Sequence, residues 1–368
     1  MAAVEAKTRT EEPDRLSGFP APRETVRLYG HDAAREQFER ALDEGRLHHG
    51  WLISGPEGIG KATLAYRLAR TVLGHEDPGV ASQDPESPLF HQVAGRAHPN
   101  LLILNRSYNE KTKRYSQWIG VDEVRRLRSF LGGTAAQAGW RVVIVDRAEE
   151  LNAHAANALL KGLEEPPEKT VFLLVATAEG RLPVTIRSRC QSLRLHPLDE
   201  KAVESAARQA FAGAETEIDG ETLATAIGLS EGSVRRALVL SGGEGIALYD
   251  EILDAFRQLP SLDMAWLHGK AEKLGAAGNT EQLELFFALL LGLMERLIRA
   301  RATGQGTQGS ESALAAKLVA ERDLGRWADA WEAIGKAHDE TLGLNLDRGV
   351  LVLESFSRLQ SLAGRENR

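Results

Sequence analysis

The sequence predicts an α/β fold, a mostly parallel sheet covered by helices, followed by helical domains. Three observations predict it. Apolar strand-like runs alternate with helix-period segments over about 150 residues, the pattern of parallel strands joined by crossover helices. Directly after the run Trp51-Leu52-Ile53 comes Gly55-Pro-Glu-Gly58-Ile-Gly60-Lys61, which has the spacing of a P-loop. Beyond Gly243 strand-like runs become few and long helical patterns take over.

The first 24 residues are charged, rich in Pro and small residues, and lack the apolar core of a signal peptide, so they read as a disordered tail. From Tyr29 to Glu44, Ala34, Phe38, Ala41 and Leu42 recur at helical spacing. Adjacent His48 and His49 point to different sides of an extended chain, and with no further ligand at useful spacing they take a structural role. In the glycine loop, Gly55, Gly58 and Gly60 let backbone N–H groups turn toward a phosphate. The following helix offers its positive N-terminus, and Lys61 reaches the outer phosphates. The next position departs from the motif. Where Ser or Thr would bring a hydroxyl to Mg²⁺ stands Ala62, and Thr63 lies one residue, about 100° of helix, away.

Gly74 to Pro99 is rich in Gly, Pro, Asp, Ser and His and reads as an irregular insertion, with His75, His91 and His98 as exposed loop histidines. A strand at Leu101 to Leu104 is followed by a polar loop, Asn105 to Gln117, and a helix with Val121, Val124, Leu127 and Leu131 on one face. Lys111, Lys113 and Arg114 in the loop, with Arg125, Arg126 and Arg128 on the helix, form the densest basic run. It fits a solvated face or a DNA-contact surface equally well. Arg141 to Asp146 is an apolar strand ending in a carboxylate, which in a P-loop protein stands beside the phosphates. A helix at Asn152 to Leu163 is closed by Glu164-Glu165-Pro166-Pro167. A strand from Thr170 to Ala176 ends in Thr177, whose hydroxyl can sit near a γ-phosphate, and a fifth strand lies near Gln191 to Leu195. In the helical region Leu283, Phe286, Phe287, Leu290, Met294 and Leu297, and then Trp327, Trp331 and Ile334, are expected core positions, with a Gly/Gln-rich connector at Thr303 to Gly309.

A net charge of -7 means that a nucleic acid would be met by a local patch or a larger assembly. The single cysteine, Cys190, can form neither an internal disulfide nor a cysteine zinc cluster, which fits the reducing cytoplasm; no zinc is expected. The apolar stretch Leu283 to Ile298 is interrupted by Glu284, Glu295 and Arg296 and reads as a buried helix, so no membrane partner is expected.

The segments GPEGIGKAT, VVIVDRAEELNAHAANALLKGLEEPP, FLLVATAEGRLPVTIRSRC and EGSVRRAL, in that order and spacing, resemble the AAA+ subunits of the bacterial sliding-clamp loader of DNA polymerase III. The resemblance covers roughly Thr25 to Leu240, with a weaker echo at LNLDRGVLVLESF. It implies a AAA+ P-loop core over 25–196, a helical lid over 197–243 and an all-α collar over 244–368 that holds subunits in a hetero-pentameric ring. By position it implies nucleotide contacts from Gly55, Gly58, Gly60, Lys61 and Thr63, a metal-side Asp146, a first sensor Thr177 and a second sensor Arg235. Arg189, in Ser188-Arg189-Cys190, matches an arginine finger given to ATP on the neighbouring subunit.

The departures from that family pattern are equally specific. Ala62 removes the Mg²⁺ hydroxyl, Arg147 replaces the acid that polarises the attacking water, and residues 74–99 occupy the place of a cysteine zinc module. The expected function is therefore that of a clamp-loader subunit within the polymerase holoenzyme, with weak or vestigial ATP or ADP binding and no metal site, acting outward through Arg189. Expected partners are the other loader subunits, the sliding clamp and primer–template DNA, with Lys111, Lys113, Arg114 and Arg125 as DNA contacts. An active motor-type ATPase and a separate AAA+ helicase or initiator are the alternatives. Ala62 and Arg147 speak against the first, and the absence of a dedicated DNA-binding element speaks against the second.

Overall fold

The structure, a computed structural model, describes residues 15–364 apart from 78, 80, 110, 112, 113, 133–138, 243, 277, 305–309 and 345. Chain contacts separate two units, Met1–Val239 and Leu240–Arg368. In chain order the first contains α1 (Asp32–Asp43), β1 (Gly50–Ser54), α2 (Lys61–Gly74), α3 (Pro88–Ala94), β2 (Leu101–Leu104), β3 (Tyr108–Asn109), β4 (Arg114–Tyr115) and α4 (Val121–Gly132). It continues with β5 (Arg141–Val145), α5 (Ala153–Glu164), β6 (Thr170–Ala176), α6 (Val184–Arg187), β7 (Gln191–Arg194), α7 (Glu200–Gly213), α8 (Gly220–Leu229) and α9 (Val234–Ser241), in which the boundary falls.

Five strands form a parallel sheet in the order β2-β5-β6-β1-β7, in register at Leu102↔Val143, Val143↔Phe172 and Ile53↔Val175. Successive strand residues face opposite sides. Trp51, Ile53, Ile144 and Leu173 pack on α1, α2 and α3, while Leu52, Val143, Phe172 and Leu174 pack with α4 and α5. A sheet covered on both faces needs apolar residues at every position, which is why β2, β5 and β6 read as unbroken apolar runs, while the edge strand β7 buries only Leu193. Fully burying each such side chain contributes about 1.5–3 kcal/mol. That burial fixes the C-terminal ends of β1, β5 and β6 side by side, where the glycine loop and the segments carrying Asp146 and Thr177 emerge. Helix starts are capped in the expected way: Ser87, Asn152, Asp199 and Asp219 accept N–H groups of α3, α5, α7 and α8 at 2.8–3.1 Å.

Several sequence expectations are corrected. Residues 1–14 of the expected tail lie outside the described residues, but Arg15 to Glu24 are packed. Leu16 and Phe19 join the apolar cluster of α7, α8 and α9, and the Phe19 ring meets Phe211 edge-on at 5.2 Å. The composition of the whole stretch hides these few apolar residues among charges. The segment 74–99 is not wholly irregular: Ser87 and Pro88 start α3, whose Leu89, Phe90 and Val93 are buried. His75 and His91 are exposed, but His98 is buried, accepts the Asn100 N–H at 3.2 Å, and has its pKa lowered by desolvation. Tyr108 and Tyr115 pair across the β3–β4 hairpin inside the expected polar loop, with ring centroids 5.0 Å apart. The His48 and His49 rings do not diverge; they stack at 4.3 Å.

The second unit is helical: α10 (Glu244–Gln258), α11 (Met264–Gly275), α12 (Thr280–Thr303), α13 (Ser310–Leu318), α14 (Leu324–Leu344) and α15 (Arg348–Ala363). α12 is its central element, packing against α10, α13 and α14 with Phe286, Phe287, Leu290 and Leu297 fully buried. Trp327 and Ile334 are buried as expected. Trp331 is not a core residue: it is 38% exposed, and its indole N–H donates to the Leu291 carbonyl at 3.0 Å. Most of the connector, 305–309, lies outside the described residues.

Candidate nucleotide site

A cavity of about 300 Å³ opens at the C-terminal ends of β1, β5 and β6. One end is the glycine loop. Gly58 and Gly60 have φ of 76° and 104°, in the left-handed region that favours glycine, and Gly60 caps α2. A Cβ on Gly58 would collide with Ser233 Oγ and lie 2.6 Å from Arg235 Cβ, so only glycine lets the start of α9 come this close. There the Arg235 N–H donates to the Gly58 carbonyl at 3.2 Å.

Of the residues singled out from sequence, Gly58, Gly60, Lys61, Thr63, Asp146, Thr177 and Arg235 all line this cavity, together with Ala62 and Arg147. Gly55 lies beneath the loop, where a Cβ would stand 2.5 Å from the Leu195 carbonyl oxygen. Lys61 is buried, and its Nζ donates to the Pro56 carbonyl at 2.6 Å, folding the side chain back over its own loop. Burial lowers its pKa, with Glu57 and Glu149 opposing that shift and Arg147 adding to it. Arg147 adopts a left-handed φ of 54°, and its Nη2 donates to Glu57 Oε1 at 2.6 Å. A cation therefore joins the end of β5 to the glycine loop. Arg235 Nε lies 4.0 Å from the same Glu57 oxygen.

Glu149, which the sequence leaves as a nearby acid without a role, lines the cavity. Its Oε1 accepts both the Thr177 N–H, at 2.8 Å, and the Thr177 hydroxyl, at 2.7 Å, while among the described residues its buried Oε2 has no hydrogen-bond partner. Nothing in the spacing distinguishes Glu149 from Glu150; the short helical turn after Arg147 does.

Leu16, Phe19, Val26 and Leu28 of an N-terminal strap, residues 15–28, give the cavity an apolar wall together with Ala210 and Leu238, and Arg27 and Gln209 line it beside them. Arg70, deep in α2, holds that strap, donating to the Arg23 carbonyl at 3.3 Å from a side chain 1% exposed. His31 Nε2 meets the Ile59 carbonyl at 2.7 Å and ties the start of α1 to the glycine loop.

Arg189 lies outside the cavity wall. Its guanidinium pairs with Glu164 at 2.7 Å and donates to the Thr185 carbonyl at 2.8 Å. Gly50 allows this segment its close approach, since a Cβ there would stand 2.8 Å from the Arg189 carbonyl oxygen. The basic run is also apart from the cavity and is divided. Lys111 is exposed on the hairpin, while Arg125 and Arg126 on α4 are paired with Asp122 at 2.6 Å and Glu123 at 2.7 Å; Lys113 lies outside the described residues, and Arg114 is placed only by its backbone in β4. Among the described residues no group of three or more His, Cys, Asp or Glu is placed to hold a metal, and no helix is long and apolar enough to cross a membrane.

Residues 30–199 match a family model described as DNA polymerase III, delta subunit. The chain is 34% identical over 239 residues to the DNA polymerase III delta′ subunit of Pseudomonas aeruginosa, covering 65% of this chain and 68% of that one. It is 33% identical over 294 residues to the Escherichia coli delta′ subunit, covering 77% and 81%. The tau subunit of Bacillus subtilis is 26% identical over 72% of this chain, which spans 45% of that longer relative. Among solved structures, a gamma-subunit-related protein of Thermotoga maritima aligns over 90% of this chain and 99% of that one at 17% identity and a TM-score of 0.40.

Proposed function

The chain belongs to the family of DNA polymerase III delta′ subunits, and we propose that it acts as a non-hydrolysing subunit of a sliding-clamp loader, completing a neighbour's ATP site through Arg189. The observation that carries this reading is Arg147. Where a hydrolytic site would hold an acid to polarise water, this chain has a guanidinium held on Glu57 of the glycine loop at 2.6 Å. Beside it Ala62 offers no hydroxyl for Mg²⁺. Losing both ion coordination and water positioning removes most of what drives phosphoryl transfer. Gly58, Gly60, Lys61, Thr63, Asp146, Thr177 and Arg235 line a cavity able to receive ATP or ADP without turning it over.

Arg189 suits a role in trans because it stands away from its own cavity, 35% exposed, with Glu164 and the Thr185 carbonyl fixing its direction. A guanidinium donates to two γ-phosphate oxygens at once and stays charged at any working pH. In this proposal residues 25–196 form the AAA+ core, 197–243 the lid and 244–368 a collar, with exposed Leu344, Leu346 and Val350 available to neighbouring subunits. The sliding clamp and primer–template DNA are met through the assembly, and Lys111, Lys113, Arg114 and Arg125 are the proposed DNA contacts.

Two measurements test the reading. The isolated chain is expected to release no phosphate from ATP, and a steady rate near ~1 per second that Lys61→Ala abolishes would overturn it. In a reconstituted loader, Arg189→Ala is expected to lower DNA- and clamp-stimulated ATP turnover by on the order of 10³ while subunit stoichiometry holds. Arg189→Lys should rescue poorly. Glu149 favours the second reading, an active ATPase, because among the described residues its buried Oε2 has no partner beside Thr177. Turnover by the isolated chain that Glu149→Gln abolishes would establish that reading instead.

A further inference from the structure

We propose that the Gln209 side chain is an internal mimic of an adenine base: it occupies the hydrogen-bonding pair that would select adenine and so makes this nucleotide site indifferent to the base. The proposal rests on the reading of the cavity as a nucleotide site. A nucleotide with its phosphates at Gly58, Gly60 and Lys61 places its base at the opposite end, between the strap and α7, where Leu16, Phe19, Val26 and Leu238 supply an apolar slot. Such a slot accepts any base by contact alone, and discrimination requires polar groups at its edge.

The main chain of Arg27, on the cavity wall, carries such groups, and both are taken. The Arg27 N–H donates to Gln209 Oε1 at 3.1 Å, and Gln209 Nε2 donates to the Arg27 carbonyl at 3.0 Å. A carboxamide sets an acceptor beside a donor, the same order that adenine shows with N1 and its 6-amino group. Guanine shows the reverse, a 6-oxo acceptor beside an N1–H donor, so an unoccupied Arg27 pair in fixed orientation would accept adenine and reject guanine. On α7 Gln209 lines the cavity with Ala206, Ala210 and Gly213, on the side of the helix away from the buried stripe of Val203, Ala207 and Phe211.

The test is calorimetric titration of the full chain with ADP, GDP and pyrophosphate, for wild type, Gln209→Leu, Gln209→Asn and Lys61→Ala. Gln209→Leu keeps the size and loses both hydrogen bonds. Gln209→Asn stays polar but is withdrawn by one methylene. Wild type is expected to bind ADP and GDP alike; in both Gln209 variants ADP should tighten by on the order of tenfold while GDP changes less than about twofold, the worth of two competing neutral hydrogen bonds. Pyrophosphate should be unaffected by either Gln209 change and weakened by Lys61→Ala. An unchanged ADP-to-GDP ratio with Lys61-dependent pyrophosphate binding intact overturns the mimic alone, leaving Gln209 as a clasp between strap and helix. Absence of both nucleotide and pyrophosphate binding in every variant overturns the nucleotide site, and the mimic with it.

Discussion

Two cations at the glycine-loop end of the cavity are already engaged by the protein: Lys61 by the Pro56 carbonyl and Arg147 by Glu57. In the proposed nucleotide site an incoming phosphate replaces these contacts and approaches the Glu57 carboxylate. Glu57→Gln removes that like charge from the loop while Arg147 keeps its ion pair with Glu150 at 3.7 Å, so ADP affinity is expected to rise about three- to tenfold, measured by titration. An unchanged or weaker affinity would mean that Glu57 serves only to hold the loop. Cys190 illustrates the opposite situation, a group silenced by its surroundings. Burial pushes its pKa up to about 12, so at neutral pH it stays a thiol. Since only the thiolate is a good nucleophile, iodoacetamide is expected to label Cys190 slowly in the native chain and rapidly in urea. Fast native labelling, followed by mass spectrometry, would contradict that burial.

At the scale of elements, the strap and the central strand do different work. Central β6 is buried along its whole length, with Phe172 fully enclosed. Phe172→Ala is expected to cost about 3–5 kcal/mol, read as a lower urea midpoint for the first unit. The strap is held more locally, by Phe19 on Phe211 and by the buried Arg70 guanidinium, which also donates to Gln83 at 3.1 Å. Arg70→Leu leaves the Arg23 carbonyl without that charged donor, an interaction worth about 1.5–3 kcal/mol. The expected outcome is faster amide hydrogen exchange over the strap, with β6 protection retained. Equal loss in both would mean that Arg70 supports the whole fold rather than the wall of the cavity.

For the molecule as a whole, burial lowers the pKa values of His31, His49 and His98, and in His49 the neighbouring His48 adds to the shift. The folded state thus resists protons that the unfolded chain accepts below a pH of about 6.5. Stability from these neutral histidines is full above that pH and is lost as pH falls toward their depressed folded values. The urea midpoint is therefore expected to fall between pH about 7.5 and 5.5, and His98→Gln should flatten the dependence by up to about 1.4 kcal/mol per pH unit. A midpoint that rises on acidification would reverse the sign of the shift.

One part of this fold is written in local periodicity. All five sheet strands, the glycine loop and the helix after it, and the apolar face of α12 were legible there, because parallel strands and P-loops impose runs and spacings that neighbouring residues carry. Asp146 and Thr177 followed, since each ends a strand whose direction the sheet dictates. Tertiary structure alone decided which residues meet across long separations. Leu16 and Phe19 wall the cavity because α7 lies opposite them, Glu57 finds Arg147 ninety residues on, and Gln209 reaches Arg27 from 182 residues away. No local pattern encodes such pairs. They exist because burial of the sheet fixes the strand ends, and the polar side chains nearby then take the partners that geometry leaves within reach.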